Sequence, residues 1–517
     1  MVTVGLVFSQ SLYDDLTNNN LEDFEAKAAL LDVKINDFPF ISYYIINAKR
    51  LQPETLAYLI KKGANVNQMD KDYLPPLFYA IIRNSTVFVQ ELIKAKADVN
   101  MLVEYDGKYR DSKNRFMYDN FWEVDAIKRI KQNNSTPLDF AFSYASPAIV
   151  KQLLNAKADP LLVLHQEVDS SKSTANKPVY INYTIVDAMF SYLSACLRDN
   201  STPLWQLYSK AYIIWQAVLK LPQAKRPEMP YADNLYATLI AGNTDMFKQL
   251  LATMSGDTIQ YIPFALLANQ WNIVELLYKL NNLTIEDPIK LGTYNEQPLL
   301  AWAITAGFPA EAIVLINKGA KIPETIFYKT GDKYPVLTEA TYVGDLELVK
   351  TLLAKGVSVA NSDTLFYCHS KPDIRKLLIK AGMDPFKKFT YLDYTFYSIL
   401  TDAALFGYEE AVAYYISIKL PVNVRDPAEV PPLFAAVASA NYKVVDILIK
   451  AGADINQYID CYGFEDFLFV YLDGSYTPLA LAYFLRDKTD DPYKKAQYTK
   501  IVKLLESLNA DNKTSVE

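Results

Sequence analysis

A chain of 517 residues is longer than one hydrophobic core usually serves, so several domains or a quasi-one-dimensional stack is expected. Hydrophobic residues at 51% and charged residues at 21% argue for a folded, soluble chain, and 52 basic against 59 acidic side chains, a net charge of −7, argue against binding nucleic acid through a basic face. Cys196, Cys368 and Cys461 stand far apart without a CxxC spacing, which argues against a disulfide framework or a zinc site and fits a reducing, cytoplasmic compartment.

The first residues, MVTVGLVFSQSLYDD, have no basic lead and soon turn acidic, unlike a secretory signal. No apolar run reaches about 18 residues, so no membrane span is expected. From Asn20 to Asn36, Leu21, Phe24, Ala28, Leu30 and Leu31 recur at helical spacing, as the second half of a repeat serving as N-terminal cap would. Ile41 to Asn67 then ends in KKGANVN, and Leu74 to Asn100 reads PPLFYAII followed by VQELIKAKADVN. Asn67 and Asn100 are 33 residues apart. Lys96 takes the place of the closing glycine, where a left-handed cap would cost a lysine about 1 kcal/mol.

The next start, Ser135-Thr136-Pro137-Leu138, puts Thr136 61 residues after Pro75, so about 28 residues are inserted between one unit's end and the next unit's start. Beyond Asp159-Pro160, the polar stretch QEVDSSKSTANKP leads into two apolar helical patterns, Thr184 to Arg198 and Pro203 to Leu221, read as one enlarged, divergent repeat plus a loop. From Leu235 a weaker helix-turn-helix pattern continues, with a shortened unit at Asp363 to Pro385, where Gly356 and Gly382 lie 26 residues apart, and another at Phe396 to Asn423.

The clearest unit runs from Pro431 to Asn456, PPLFAAVASANYKVVDILIKAGADIN. Pro432 opens a first helix, where a missing N–H costs nothing, and Gly452 closes a second by turning left-handed. Thr477-Pro478-Leu479 opens the last unit 46 residues after Pro432, leaving about 13 extra residues between them. The helix Lys500 to Leu508 and a polar tail are expected to end the chain.

The Thr-Pro-Leu start and the Gly-Ala-Asp-x-Asn end, at a period of about 33 residues, resemble the ankyrin-repeat family. The resemblance covers roughly residues 20 to 510 and resembles the divergent bacterial or viral members most. It implies an all-α ankyrin-repeat solenoid of about twelve helix-turn-helix units with extended finger loops. Residues 1–160 would hold the N-terminal repeats with a long finger at 101–133, residues 161–230 a divergent repeat or helical insertion, and residues 231–517 the C-terminal repeats with a finger at 457–474. The family's helix-starting histidine is replaced by Phe78, Asp139, Trp205, Phe434 and Ala480. Stacking would bury the apolar face that each pair cannot bury alone, with Leu448 and Ile449 expected in the core.

No GxxxxGK[ST], GxGxxG, HExxH or GxSxG sequence occurs, so phosphate cradling, dinucleotide binding and zincin or nucleophile-elbow chemistry lack a carrier. No catalytic, cofactor or metal residue is expected. The alternative is an enzyme with a small Cys/His hydrolase module at Ile181 to Pro230, which would need Cys196, Cys368 or Cys461 beside His165 or His369. Cys368 and His369 are sequence neighbours, a poor geometry for such a dyad, and Cys196 lies in an apolar pattern that suits a structural thiol. Glu409-Glu410 and Asp490-Asp491 read as solvated charges, and Trp271 and Trp302 as packing.

The fingers are the expected partner-binding elements. Met101 to Asn133 carries Tyr105, Tyr109, Phe116, Tyr118, Phe121 and Trp122 among mixed charges. Gln457 to Gly474 carries Tyr458, Tyr462, Phe464, Phe467, Phe469 and Tyr471 with four acidic residues and no basic one. Large aromatics dominate binding hot spots while charge sets approach and register; the competing reading is that these rings fold back onto the solenoid. The resemblance thus implies a non-catalytic module that captures another protein through its concave face and aromatic fingers and inhibits or redirects it, of effector or inhibitor type. An effector of this kind would be delivered into a host cell.

Overall fold

The computed structural model describes residues 15–16, 21–30, 39–48, 51–70, 74–103, 134–168, 180–198, 205–227, 234–253, 258–291, 296–327, 332–391, 395–424, 429–460 and 474–516. Contacts divide the chain into two compact units, Met1–Leu283 and Thr284–Glu517. Each is built from pairs of antiparallel helices, most with members of seven to ten residues. Helices this short are marginal alone, so burial against neighbours must hold them.

In the first unit, Phe40–Asn47 packs on Pro76–Ile82 and that helix on Pro137–Tyr144, while the second helices Pro53–Lys61, Thr86–Lys94 and Pro147–Asn155 line up in the same order. In the second unit the first-helix row runs through Leu299–Thr305, Val336–Val343, the 3-10 helix Ser362–Cys368, Ile399–Leu405, Pro432–Ala438 and Pro478–Lys488. All seven residues of Pro432–Ala438 are buried, since this helix has neighbours on several sides. Its partner Tyr442–Lys450 buries Val444, Val445 and Leu448 on one face. Ile449, expected in the core, is only half-buried, because one residue past Leu448 the helix has turned by about 100°.

Left-handed residues mark the turns. Beyond the second helices stand Gly63, Gly319, Gly356, Gly382 and Gly452, but also Lys96 (φ 69°), Lys157 (φ 73°) and Lys419 (φ 71°). The doubt about Lys96 resolves in favour of the turn. Lys96 N donates to Ile93 O and Ala97 N to Leu92 O, the same pair of bonds that Gly452 and Ala453 make to Ile449 O and Leu448 O. Two satisfied carbonyls offset the lysine's steric cost.

The closing asparagine of the repeat is a tie between units. Asn423 donates to Gly452 O (2.9 Å) and accepts from Asp454 N (2.8 Å). Asn67 does the same to Lys96 O and Asp98 N. Asn100 reaches over its insertion to Lys157 O (3.1 Å) and Asp159 N (2.6 Å), and Asn456 accepts from Asp511 N (2.7 Å). Units separated by extra residues therefore stack directly. The chain leaves and returns through the antiparallel bridge Val103↔Ser135, whose N–H groups each donate to the other residue's carbonyl at 3.0 and 3.1 Å.

Short antiparallel hairpins occupy the same junction elsewhere: His165–Val168 with Tyr180–Tyr183, Thr325–Phe327 with Lys333–Pro335, and Lys388–Tyr391 with Thr395–Ser398. Side-chain amides tie successive junctions together, Asn134 donating to Leu164 O, Gln297 accepting from Phe327 N and Gln457 donating to Val424 O. At the C-terminus the expected polar tail is a strand. Thr514–Val516 pairs with Gly474–Tyr476, which also pairs with Ile459–Asp460, and the last helix starts at Pro492, eight residues before Lys500.

The divergent region holds two 14-residue helices, Ile185–Arg198 and Trp205–Val218. The second packs on both helices of the preceding pair and carries Lys210, whose buried ammonium donates to Ala145 O (2.9 Å) and reaches Ala141 O (3.5 Å). A cation at a helix C-terminus adds a donor for the last carbonyls, here Ala145 O, while Ala141 O also accepts from Ala145 N. Desolvation lowers the Lys210 pKa to about 8.

Candidate functional site

Within the second unit, the hairpin strand Lys333–Pro335 runs directly into the helix Val336–Val343, so that Tyr334 on the strand and Thr338, Glu339 and Tyr342 on the helix come to one side. Residues 338 and 342 are four apart and lie one turn above the other. Tyr367, on the 3-10 helix of the next pair, completes a cavity of about 190 Å³ lined by these five residues. The Tyr342 and Tyr367 rings meet edge to face, 5.9 Å apart and at 87°. They stay 54% and 37% exposed, so they form the rim.

Glu339 is the buried member of the set, with 6% of its surface exposed. Burial raises its pKa above the ordinary 4.5, and among the described residues no hydrogen bond or ion pair reaches its carboxylate. Thr338 is held by Thr364, the two hydroxyls 2.7 Å apart. Lys371 of the next pair lies against Tyr342. Its ammonium donates to Thr341 O, Tyr342 O and Tyr367 O at 2.8 to 3.0 Å and lies 6.0 Å from the Tyr342 ring centre. Gly344, at φ +84°, makes room for it: a Cβ there would come within 2.7 Å of the lysine side chain. The walls are thus fixed by hydrogen bonds from the next pair, and the cavity presents three phenol rings and one desolvated carboxylate.

A second polar cluster lies beneath the same pair. The His369 ring bonds Asp402 through Nε2 (2.9 Å) and the Tyr415 hydroxyl through Nδ1 (3.3 Å). Arg375, fully buried, donates to His369 O (2.6 Å), reaches exposed Glu410 at 3.5 Å and lies over the Tyr414 and Tyr415 rings. Burial pushes the Cys368 thiol up to about 12, and that thiol donates to Leu365 O (3.1 Å). A protonated, enclosed thiol is no nucleophile. Both His369 nitrogens are engaged by other residues, so the adjacent pair Cys368 and His369 forms no dyad. His165 stacks on Tyr183 across its hairpin, ring centres 4.4 Å apart; Cys196 lies on the helix Ile185–Arg198, and Cys461 lies outside the described residues. Among the described residues no group of three or more His, Cys, Asp or Glu side chains could hold a metal ion, and no helix is long and apolar enough to cross a membrane.

Of the aromatics expected to bind a partner, Tyr458 stands 48% exposed next to the strand Ile459–Asp460, at the base of the second finger. Tyr105, Tyr109, Phe116, Tyr118, Phe121 and Trp122 of the first finger and Tyr462, Phe464, Phe467, Phe469 and Tyr471 of the second lie outside the described residues. Trp302 is core, stacked on Phe308 at 5.5 Å, whereas Trp271 is half-buried and donates to Glu275. Sequence reasoning missed the Glu339 cavity. The signal was a lone glutamate inside the apolar stretch YPVLTEATYV, where helical spacing puts an acidic side chain among residues that face a neighbour.

The family model described as ankyrin repeats (3 copies) matches residues 44–163. No curated protein matches the chain. Among solved structures, the crystal structure of the human ASB11 ankyrin repeat domain aligns at 18% identity over 42% of this chain and 85% of that one, with a TM-score of 0.31, too low to carry weight beside the family match. The match over residues 44–163 supports an ankyrin-repeat protein, and the paired short helices, left-handed closures and asparagine ties recur among the described residues beyond that stretch.

Proposed function

We propose that the chain captures another protein through its finger loops and first-helix row, and that capture inhibits or redirects that protein, as an effector or inhibitor acting in a cytoplasm would. Ankyrin repeats bind other proteins. The observation that carries the reading is the closed base of the first finger. Val103 pairs with Ser135 while Asn100 holds Asp159, so the units that flank the insertion are tied directly to each other. An insertion rich in Tyr, Phe and Trp at such a junction supplies contact area from a fixed frame, and a preorganised frame lowers the entropy lost on binding. The domain division read from the sequence goes with this proposal, residues 1–160 and 231–517 presenting one finger each around the enlarged repeat at 161–230.

The test is affinity purification from the native cell with mass spectrometry, comparing the wild type with a chain whose residues 104–133 are replaced by a short Gly-Ser loop. One stoichiometric protein retained by the wild type and lost by the variant is the expected result. Equal recovery by both chains would move the site off the first finger, and the absence of any stoichiometric protein would overturn capture as the function.

A further inference from the structure

We infer that the cavity formed by Tyr334, Thr338, Glu339, Tyr342 and Tyr367 receives a basic side chain, lysine or arginine, of the captured protein. The inference rests on the capture reading and names the chemistry that one part of the surface selects.

Two independent features point to a cation. The first is Glu339. The residue is 6% exposed, but its oxygens are not among the fully buried atoms without a partner, so the carboxylate keeps an open edge where a cation can pair with it. Here desolvation is the sole resolved cause of the Glu339 shift, which means that no resident cation reaches it. Lys371, whose ammonium lies 6.0 Å from the Tyr342 ring centre, donates to three carbonyls. The second is the ring geometry. Tyr342 and Tyr367 stand at right angles, 5.9 Å apart, with Tyr334 as a third wall. Ring faces carry negative potential, and perpendicular walls offer a face and an edge to a cation that loses its water between them. Burial chiefly raises the Tyr367 pKa, with Tyr334, Glu339 and Asp363 adding to it, and Asp363 is met at its exposed edge by Lys387.

Size agrees. A cavity of about 190 Å³ holds roughly six waters at about 30 Å³ each, enough for a guanidinium or ammonium head with part of its methylene stem. The stem would lie on the tyrosine rings while the head meets the carboxylate, as long basic side chains do on aromatic surfaces. An anion would meet Glu339 and a neutral apolar group would leave its carboxylate buried and unpaired, so the same features reject both.

The test uses the full chain and two small probes of one shape, n-butylguanidinium and the neutral n-butylurea, followed by tyrosine fluorescence or by side-chain resonances of the cavity. The guanidinium is expected to saturate with a Kd on the order of 1 mM and the urea to bind about tenfold more weakly or not at all. Glu339→Gln, which keeps the shape, and Tyr342→Ala, at a half-exposed position, should each weaken the guanidinium about tenfold while the chain melts at the wild-type temperature. Binding should also fade on acidification, beginning at a higher pH than for an exposed glutamate, because the raised Glu339 must be ionised to hold the cation. Equal binding of both probes, or guanidinium binding unaltered in both variants, would overturn the inference. Because no partner protein is present, that failure leaves capture itself standing, and loss of capture with the probe still bound would instead remove the capture reading.

Discussion

Two links of the second unit solve the same packing problem differently. The pair Pro432–Ala438 and Tyr442–Lys450 buries apolar side chains alone, closes on Gly452 and is tied to its predecessor by Asn423. The pair 361–382 is shorter, replaces its first α-helix by the 3-10 helix Ser362–Cys368 and buries Arg375 and His369 beside the apolar Leu365, Ile374 and Leu378. Apolar burial is tolerant of detail, whereas a buried polar network holds only when each member finds its partner. Arg375 Nε finds none among the described residues. The first link should therefore be sensitive to polarity and the second to geometry.

The largest expected effect is Leu448→Asp. Leu448 is fully buried, and an unpaired carboxylate there should cost about 4 kcal/mol or more, read as a lower urea midpoint; an unchanged midpoint would break the apolar side of the comparison. Next, Arg375→Ala should cost about 3 kcal/mol, through the lost packing on Tyr414 and Tyr415 and the orphaned His369 carbonyl. Arg375→Met, which refills the volume, should recover part of that loss; if it fails, geometry is not what the polar link needs.

Lys210 tests the same polar solution in the first unit. Its folded pKa, lowered to about 8 from 10.5, means that the unfolded chain binds the extra proton, so stability rises with pH from about 8 to 10.5 and is lost as pH falls through the folded value. The full swing is about 3 kcal/mol. Raised tyrosines such as Tyr208 act in the opposite sense as pH climbs beyond 10, so the measurement is the difference in unfolding free energy between the wild type and Lys210→Met across pH 7 to 10.5. A difference without pH dependence would mean that the ammonium is solvated.

Asn423→Ala removes two bonds to the next unit and should cost about 1 to 2 kcal/mol, measured by thermal unfolding. Lys419→Gly, at φ 71°, should gain about 0.5 kcal/mol, the relief of left-handed strain less the added freedom of the unfolded glycine.

The regular links were legible because their signals are local. Pro432, Gly452 and Asn456 each act on backbone within a few residues or on the next copy of the same motif, so 33-residue spacing announced both the helices and the insertions. The irregular parts depend on distant partners. Nothing near Arg375 in the sequence indicates that His369 O and the Tyr414 and Tyr415 rings will surround it, and the strand Thr514–Val516 exists only because Gly474–Tyr476 offers an edge. Lys96, Lys157 and Lys419 show the same limit from the other side: their turns are set by the helix before and the loop after, which override the residue's own preference. The Glu339 cavity was illegible for that reason too, since its fifth wall, Tyr367, comes from the following pair.

The central claim is that both kinds of link belong to a nearest-neighbour stack, each pair held chiefly by the pairs on either side. Native-state hydrogen exchange on Leu448→Asp tests it most directly. Protection should fall across residues 395–516 and persist across 39–253, which belong to the other unit. Equal loss of protection in both stretches would show one indivisible core and contradict the account.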